Sequence, residues 1–523
     1  MGGGINGAAL ARQAAFQGLR VAICEAGDFG QGASTNTSKL LHGGLRYLET
    51  YDFGLVRDAV RERAQLLGMA PHLVEARRFL FPRTRHGRHA RPLIKAGMTL
   101  YDLLAGGRLR LDPHGWVPPE KLRAREPHFL PEEEVGGYEY SDCVMDDARL
   151  VLENLLDARA LGAEVFNYHR FLGAEPAGVG DSSGTGRGNL LDVTFLDRLT
   201  GREKVLRAPK VALALGPWTD EVLKSAFPGA HPQVRLSQGI HLIAEGLDST
   251  SCFILPVPES RRYFFIVPWK GKHLIGTTET EVGVYPPDPV VPLDKEIGEL
   301  ESLVRLYFPD QPVKIICTIT GLRPLARASK GSTITLSREH EFHVLDEGIY
   351  SAVGGKYTTH RTLAKEYLKF ILGPGANLKP MEDRPFPGAW KTPRERENLR
   401  VHLLNHAFVD STLAETWMRR YGLRAQNLAA FIAADRSRQE RLPGPSPLLL
   451  GEVLFAAEEE WARTPIDFYR RRTDLYFTRE GGMESLPRVE ELFTSLHSGL
   501  RSSLGRDADY PDFLRRNRHV AVR

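Results

Sequence analysis

At 523 residues, with 42% hydrophobic and 26% charged side chains, the chain has the ordinary composition of a soluble globular protein and is long enough for two or more domains. A formal charge of +4 is too slight to imply a nucleic-acid partner, and no apolar run approaches the roughly 18 to 20 residues of a membrane-spanning helix. Cys24, Cys143, Cys252 and Cys317 are far apart and form no Cys-x-x-Cys pair, so neither a metal site nor a disulfide framework is expected, and a reducing cytoplasm fits best.

The chain opens on Gly2-Gly3-Gly4-Ile5-Asn6-Gly7, and Val21-Ala22-Ile23-Cys24-Glu25 follows at the distance that a phosphate turn, a helix and a second strand require. Gly2, Gly4 and Gly7 have the G-x-G-x-x-G spacing of a dinucleotide-binding βαβ unit: a tight turn, backbone approach to a pyrophosphate, and close helix packing. Glu25 ends the second strand, where a carboxylate accepts hydrogen bonds from ribose hydroxyls. The apolar strand that ordinarily precedes the glycines is missing and only Met1 stands there. The expectation is a start set too late, with a compromised cofactor site as the alternative.

Arg83-Thr84-Arg85-His86-Gly87-Arg88-His89-Ala90-Arg91 is a basic cluster, read either as a solvated loop or as a contact with an anionic surface. The apolar segment Pro92 to Leu104 follows it, either as a core helix or as a face lying on a bilayer. Pro176 to Gly188, rich in Gly and Ser, reads as a flexible turn within a hairpin. Val211 to Gly216 reads as a buried parallel strand that returns to the cofactor sheet. Tyr263 to Trp269 and His273 to Thr278 flank Lys270-Gly271-Lys272 as an antiparallel hairpin, which implies a second sheet inserted into the Rossmann-type chain. Gly348 to Lys356 is a strand ending in two glycines, and Thr359 to Leu372 is helical, so Gly354 and Gly355 form a second candidate anion cradle. From about Pro385 onward the chain reads as helices with Pro and Gly breaks. There Leu450 to Tyr476 is helical with a break at Pro465, and Arg470-Arg471-Arg472, as a bare pattern, reads as surface charge.

Several segments together resemble the FAD-dependent, respiratory and quinone-linked glycerol-3-phosphate dehydrogenases. The resemblance spans nearly the whole chain. It rests on Gly2-Gly3-Gly4-Ile5-Asn6-Gly7-Ala8, on the distinctive Thr37-Ser38-Lys39-Leu40-Leu41-His42-Gly43-Gly44-Leu45-Arg46-Tyr47-Leu48-Glu49, and on Tyr140 to Leu150. It continues through Gly216-Pro217-Trp218, Ile275 to Glu279, Gly321-Leu322-Arg323-Pro324-Leu325 and Gly354-Gly355-Lys356-Tyr357-Thr358-Thr359, and ends in Glu460 to Thr464 and Arg470 to Thr473. The family implies an α/β fold like that of D-amino-acid oxidase: a Rossmann-type FAD domain with an inserted antiparallel-sheet substrate domain over 1–375, and a helical C-terminal domain over 385–523. The chain departs from the family at Ala214-Leu215-Gly216, where Ala-Thr-Gly is usual, which removes a polar contact near FAD. It departs again at Gln238-Gly239-Ile240-His241, where Lys-Gly-Ser-His is usual, which removes a positive charge near the substrate.

The implied reaction oxidises the C2 alcohol of sn-glycerol 3-phosphate to dihydroxyacetone phosphate, with a hydride passing to FAD and electrons going on to a membrane quinone. Arg46, Arg323 and Lys356 are the candidates for the phosphate, with Tyr47 adding a hydroxyl. His241 is the candidate base, and Arg323 could instead stabilise a developing alkoxide. Thr37, Ser38, Lys39, His42 and Gly43 are expected along the flavin together with Gly216, Gly354 and Gly355, while Gly2, Gly4, Asn6, Gly7 and Glu25 hold the dinucleotide. The implied setting is the inner face of the cell membrane, through peripheral contact and with room for a homodimer. Rival readings are an oxygen-dependent oxidase, a non-catalytic homologue, and an amine or amino-acid oxidase, the last disfavoured by the clustered cations.

Overall fold

The computed structural model describes residues 1–45, 52–87, 91–105, 111–130, 133, 135–177, 190–283, 285–286, 290–327, 340–381, 384–445, 447–497, 504 and 509–517. The helix Ile5–Phe16 lies at the centre of the nucleotide-binding part. Its alanines Ala8, Ala9, Ala11, Ala14 and Ala15 are buried, because small side chains let the helices Asp147–Ala160 and His360–Leu372 pack closely on either side. Arg12 is the one charged residue buried on this helix, and it is paired with Asp157 at 2.7 Å.

Two parallel fragments flank the start of the chain. The strand Ala22–Cys24 pairs with Glu164–Phe166, and Val211–Leu213 pairs with Ile349–Gly354, which in turn pairs antiparallel with His340–Asp346. The backbone of Met1 and Gly2 joins the two pieces: Gly2 N–H donates to Cys24 O at 2.8 Å, and Ala214 N–H donates to Met1 O at 2.8 Å. The short strand Val211–Leu213 thus returns to the cofactor sheet, as its apolar run implies.

The second sheet has ten strands among the described residues. Its spine is Val234–Glu245, paired along its length with Lys314–Ala326 and, on the other edge, with Lys272–Gly276. The hairpin Tyr263–Trp269 to Lys272–Gly276 closes with Trp269 opposite Lys272. Its turn residues Lys270 and Gly271 take φ of 50° and 75°, the left-handed geometry that matches strand twist in two-residue turns. Alternation sorts the side chains between the two faces. Ile240 and Leu242 pack with Leu300, Val304 and Tyr307 of the helix Asp294–Tyr307, whereas Ile243 and Leu274 face a cluster that includes Met98, Tyr101 and Val453. A three-stranded meander, His169–Pro176, Leu191–Asp197 and Arg202–Ala208, extends the nucleotide-binding part.

From Pro393 the described chain is helical. Pro393–Leu404, Ser411–Tyr421, Ala425–Ala433 and Leu450–Glu459 enclose a core that includes Leu399, Leu413, Trp417, Leu428 and Phe455. Thr392 and Asp410 cap two of these helices by accepting from Glu395 N–H and Leu413 N–H. Pro465 breaks the helical run as expected, with Thr464 capping the next turn. Arg470, Arg471 and Arg472 overturn the surface-charge reading, since they are 5%, 6% and 0% exposed. A run of like charges has no apolar periodicity, so nothing local foretells its burial. Acidic and amide partners on distant segments make that burial affordable.

Candidate active site

A cavity of about 670 Å³ runs from the N-terminal glycines to the spine of the ten-stranded sheet. Gly2, Gly4, Asn6 and Glu25 line its N-terminal end and His241 and Arg323 its sheet end, while Lys356 follows Gly354-Gly355, whose Gly354 O accepts from Asn6. The glycines are sterically required there. Gly2 has φ of +95° and a Cβ on it would lie 2.3 Å from Ala214 O, while a Cβ on Gly7 would lie 1.9 Å from Gly2 O. Gly4 has no side chain with which to cap the helix Ile5–Phe16; Ser34 Oγ accepts from Ile5 N–H at 2.9 Å, and the positive end of the helix dipole still opens on the cavity. Asn6 Oδ1 is buried without a hydrogen-bond partner among the described residues, and Asn6 Nδ2 donates to Gly354 O at 3.4 Å. Gly354 and Gly355, at φ of 75° and 87°, bring bare backbone to the same wall. A helix N-terminus at the cavity, bare glycine backbone and an orphaned acceptor together fit a dinucleotide.

Glu25 reaches the cavity, but its oxygens already accept from Gly3 N–H at 2.6 Å and Gly27 N–H at 2.9 Å. Burial raises its pKa and these two amides pull it back. Glu25 therefore braces the glycine turn through both carboxylate oxygens.

The opposite end is built on strand glycines. His241 faces Gly276 across the strand pair, and a Cβ on Gly276 would fall 2.6 Å from His241 Cδ2. Arg323 lies over Gly239, where a Cβ would come within 2.2 Å of a guanidinium nitrogen. Arg323 donates to Thr277 Oγ1 at 2.6 Å and to Thr278 O at 3.3 Å, which fixes the plane of its fork. His241 Nε2 is 2.8 Å from Oγ of Ser38, which also lines the cavity, and Nδ1 is buried with no partner among the described residues. Burial pushes the imidazole pKa down to about 3, helped by the positive charges of Arg323 and Lys39. Lys356, next to Gly355, also lines the cavity and is buried.

Thr37, Ser38, His42 and Gly216 also line the cavity. Three other expected residues do not. Lys39, at φ of 57°, turns its side chain inward, where Nζ meets Asp147 at 2.5 Å and donates to Thr35 O at 2.9 Å. Burial lowers its pKa, and Asp147 opposes the shift. Gly43 N–H donates to Tyr101 Oη at 2.8 Å behind the wall, and Gly7 serves helix packing. Arg46 and Tyr47 lie outside the described residues. Gln238 also points away from the cavity, its amide donating to Glu296 at 2.8 Å and Val291 O at 3.1 Å. Leu215 does line the cavity.

The sequence reading missed several neighbours. His169, Arg170 and Arg198 line the glycine end, and Arg198 donates to Ala26 O at 3.0 Å. They come from the meander, and no local pattern marks them. Thr277 and Thr278 stand in a motif singled out above, yet their hold on Arg323 depends on strand register.

The family model described as FAD dependent oxidoreductase matches residues 1–361, and the model for the C-terminal domain of alpha-glycerophosphate oxidase matches residues 381–498. A glycerol-3-phosphate dehydrogenase of Pseudomonas aeruginosa is 35% identical over 492 residues, covering 91% of each chain. The D-erythritol 1-phosphate dehydrogenase of Brucella abortus is 33% identical, over 91% of this chain and 93% of that one. A solved glycerol-3-phosphate dehydrogenase from Bacillus halodurans, complexed with FAD, superposes with a TM-score of 0.76 at 23% identity, over 98% of this chain and 92% of that one, and shows the shared fold.

Proposed function

The chain belongs to the FAD-dependent glycerol-3-phosphate dehydrogenase family, and from that premise we propose that it oxidises sn-glycerol 3-phosphate to dihydroxyacetone phosphate and passes the electrons to a membrane quinone. The observation that carries this reading is the meeting, in one cavity, of a dinucleotide cradle with His241, Arg323 and Lys356. Gly2, Gly4, Asn6 and Glu25 and the backbone of Gly354 and Gly355 would hold FAD, which when bound would supply a hydride acceptor. Arg323 and Lys356 bind the dianionic phosphate, the first through a fork fixed by Thr277 and Thr278 and the second as a point charge. His241 takes the C2 hydroxyl proton at Nε2, beside Ser38 Oγ. A phosphate dianion near the imidazole raises its basicity from the depressed value of about 3.

The helix Arg91–Ala105 supports peripheral attachment. Met98, Tyr101 and Ala105 face the interior, while Leu93 and Leu103 are 60% and 70% exposed. Arg91 stacks on Trp116 with its guanidinium carbon 3.9 Å from the ring centre, at the end where a headgroup would lie. Among the described residues no helix is long and apolar enough to cross a membrane, so this face is the contact we assign to the bilayer that holds the quinone.

The similarity to a D-erythritol 1-phosphate dehydrogenase makes a four-carbon polyol phosphate the competing substrate. Anaerobic addition of each phosphate ester to the flavin-loaded protein, followed at the flavin band near roughly 450 nm, tests both. Rapid bleaching by glycerol 3-phosphate is the expected result. Bleaching by the four-carbon ester alone reassigns the substrate, and a flavin left oxidised by both overturns the reaction class. Peroxide release on admission of air without quinone would select an oxidase.

A further inference from the structure

A dense cluster of buried charge lies where the C-terminal helices meet the loop after Glu25. Arg470, Arg471 and Arg472 occupy one wide helical turn, Phe468–Arg472, and all three reach across to that loop. Arg472 donates to both oxygens of Asp28, at 2.6 and 2.7 Å, and to Glu460 O. Arg471 pairs with Asp28 and with Asp467, the latter at 2.6 Å. Arg470 donates to Asn36 Oδ1 at 3.0 Å and lies against the rings of Tyr476 and Phe477, 4.8 and 4.5 Å from their centres. Asp28 is entirely buried, and its carboxylate is held by cations 443 and 444 residues away in sequence.

The other side of the same loop forms the cofactor wall. Gln31, Gly32, Ser34 and Asn36 line the cavity. Gly27 N–H and Gly3 N–H share the Glu25 carboxylate, Gly30 N–H donates to Gly3 O at 3.0 Å, and Ile5 N–H donates to Ser34 Oγ at 2.9 Å. Asn36 Nδ2 donates to Gly32 O at 2.7 Å, so Arg470 grips the residue that shapes the far end of the loop. The loop is therefore a strap held on one face by the phosphate turn and on the other by three arginines. A buried carboxylate deprived of its guanidinium partners is driven toward water, and movement of Asp28 carries Gly27 and Glu25 with it.

We propose that Arg470, Arg471 and Arg472 are positioning residues for FAD, and that docking of the C-terminal helices on Asp28 and Asn36 sets the geometry of the dinucleotide site. FAD binding and this docking are then reciprocally coupled. The inference rests on FAD as the cofactor and is independent of the substrate.

The test is fluorescence titration of the full-length apoprotein with FAD, together with hydrogen exchange over residues 25–36. Asp28→Asn and Arg472→Met are compared with Arg420→Met, which breaks a buried pair with Glu452 inside the C-terminal helices and touches no part of the loop. The expected result is an FAD Kd raised about tenfold or more in the two loop variants, faster exchange across 25–36, and a Kd within about twofold of wild type for Arg420→Met. Arg471→Lys, which keeps the charge, restores most of the affinity lost in Arg471→Met. An unchanged Kd in the loop variants, or an equal loss in Arg420→Met, overturns the proposal. If Arg472→Met does not fold, Arg470→Gln gives the same reading through Asn36. A wild-type apoprotein that takes up no FAD sinks the cofactor reading instead, which keeps the two failures distinct.

Discussion

His241 shows how the cavity sets one side chain to its task. Burial and two nearby cations keep the ring neutral, with a pKa near about 3, so no titration of this group shapes kcat/KM of the free enzyme between pH 5 and 8. Replacing it removes the proton acceptor we propose while leaving the nucleotide end untouched. His241→Asn should therefore lower kcat by about 10²- to 10⁴-fold with an unaltered flavin spectrum, measured by stopped-flow reduction. A loss below tenfold would pass the role of base to another group. Arg323→Lys keeps the charge and loses the planar fork that Thr277 and Thr278 hold, so KM for the phosphate ester should rise by about tenfold or more with a smaller effect on kcat. An unchanged KM would place the phosphate elsewhere. That His241, Arg323 and Lys356 belong together was legible in the sequence because each stands inside a distinctive motif, and the fold brings all three to one cavity. Lys39 stands in one too, yet its positive φ and a carboxylate 108 residues away turn it into the interior, and neither is written locally.

At the scale of single elements, two strand glycines act as recesses for working side chains. Gly239 and Gly276 lie in paired strands where a side chain would ordinarily stabilise the sheet, and each gives its space to Arg323 or His241. Gly276→Ala forces the imidazole to move, at a cost of about 1 to 3 kcal/mol in stability. The change should also slow flavin reduction far more than that destabilisation accounts for in a protein still fully folded at the assay temperature. A variant that loses stability and keeps its reduction rate would show that the recess serves packing alone. The helix Arg91–Ala105 makes a second case, since Leu93 and Leu103 project outward from a helix anchored by Met98 and Tyr101. Leu93→Glu with Leu103→Glu should abolish co-sedimentation with anionic phospholipid vesicles while leaving reduction by substrate intact, and retained sedimentation would move the membrane face elsewhere. The legibility of elements follows the range of the interactions that define them. The Lys270-Gly271 hairpin could be read because its turn chemistry is local. The buried arginines 470 to 472 could not, because their environment is assembled from the opposite end of the chain.

A set of titratable groups lies buried in the molecule, and that gives its stability a definite response to acid. His241 and His360 are both buried with pKa values pushed down to about 3, mainly by desolvation, against about 6.5 in an unfolded chain. A histidine whose folded pKa is depressed leaves the native state unable to take up a proton that the unfolded state accepts. Stability therefore falls as pH drops below about 6.5 and continues to fall toward about 3. Glu460, held at about 2 by Arg149 and Arg424 despite burial, adds a second loss that begins only below the ordinary carboxylate range of about 4.3. Between pH 7 and 5 the histidines act alone within this set, and two of them correspond to about 4 kcal/mol of lost stability. Urea unfolding of the FAD-loaded protein should show a midpoint that declines steadily across that interval. The double variant His241→Asn, His360→Gln, though less stable at pH 7, should have a markedly flatter dependence. A wild-type midpoint independent of pH from 7 to 5 would mean that both rings reach water in the native state. That would also contradict the buried setting of His241 on which its proposed role as a neutral base depends.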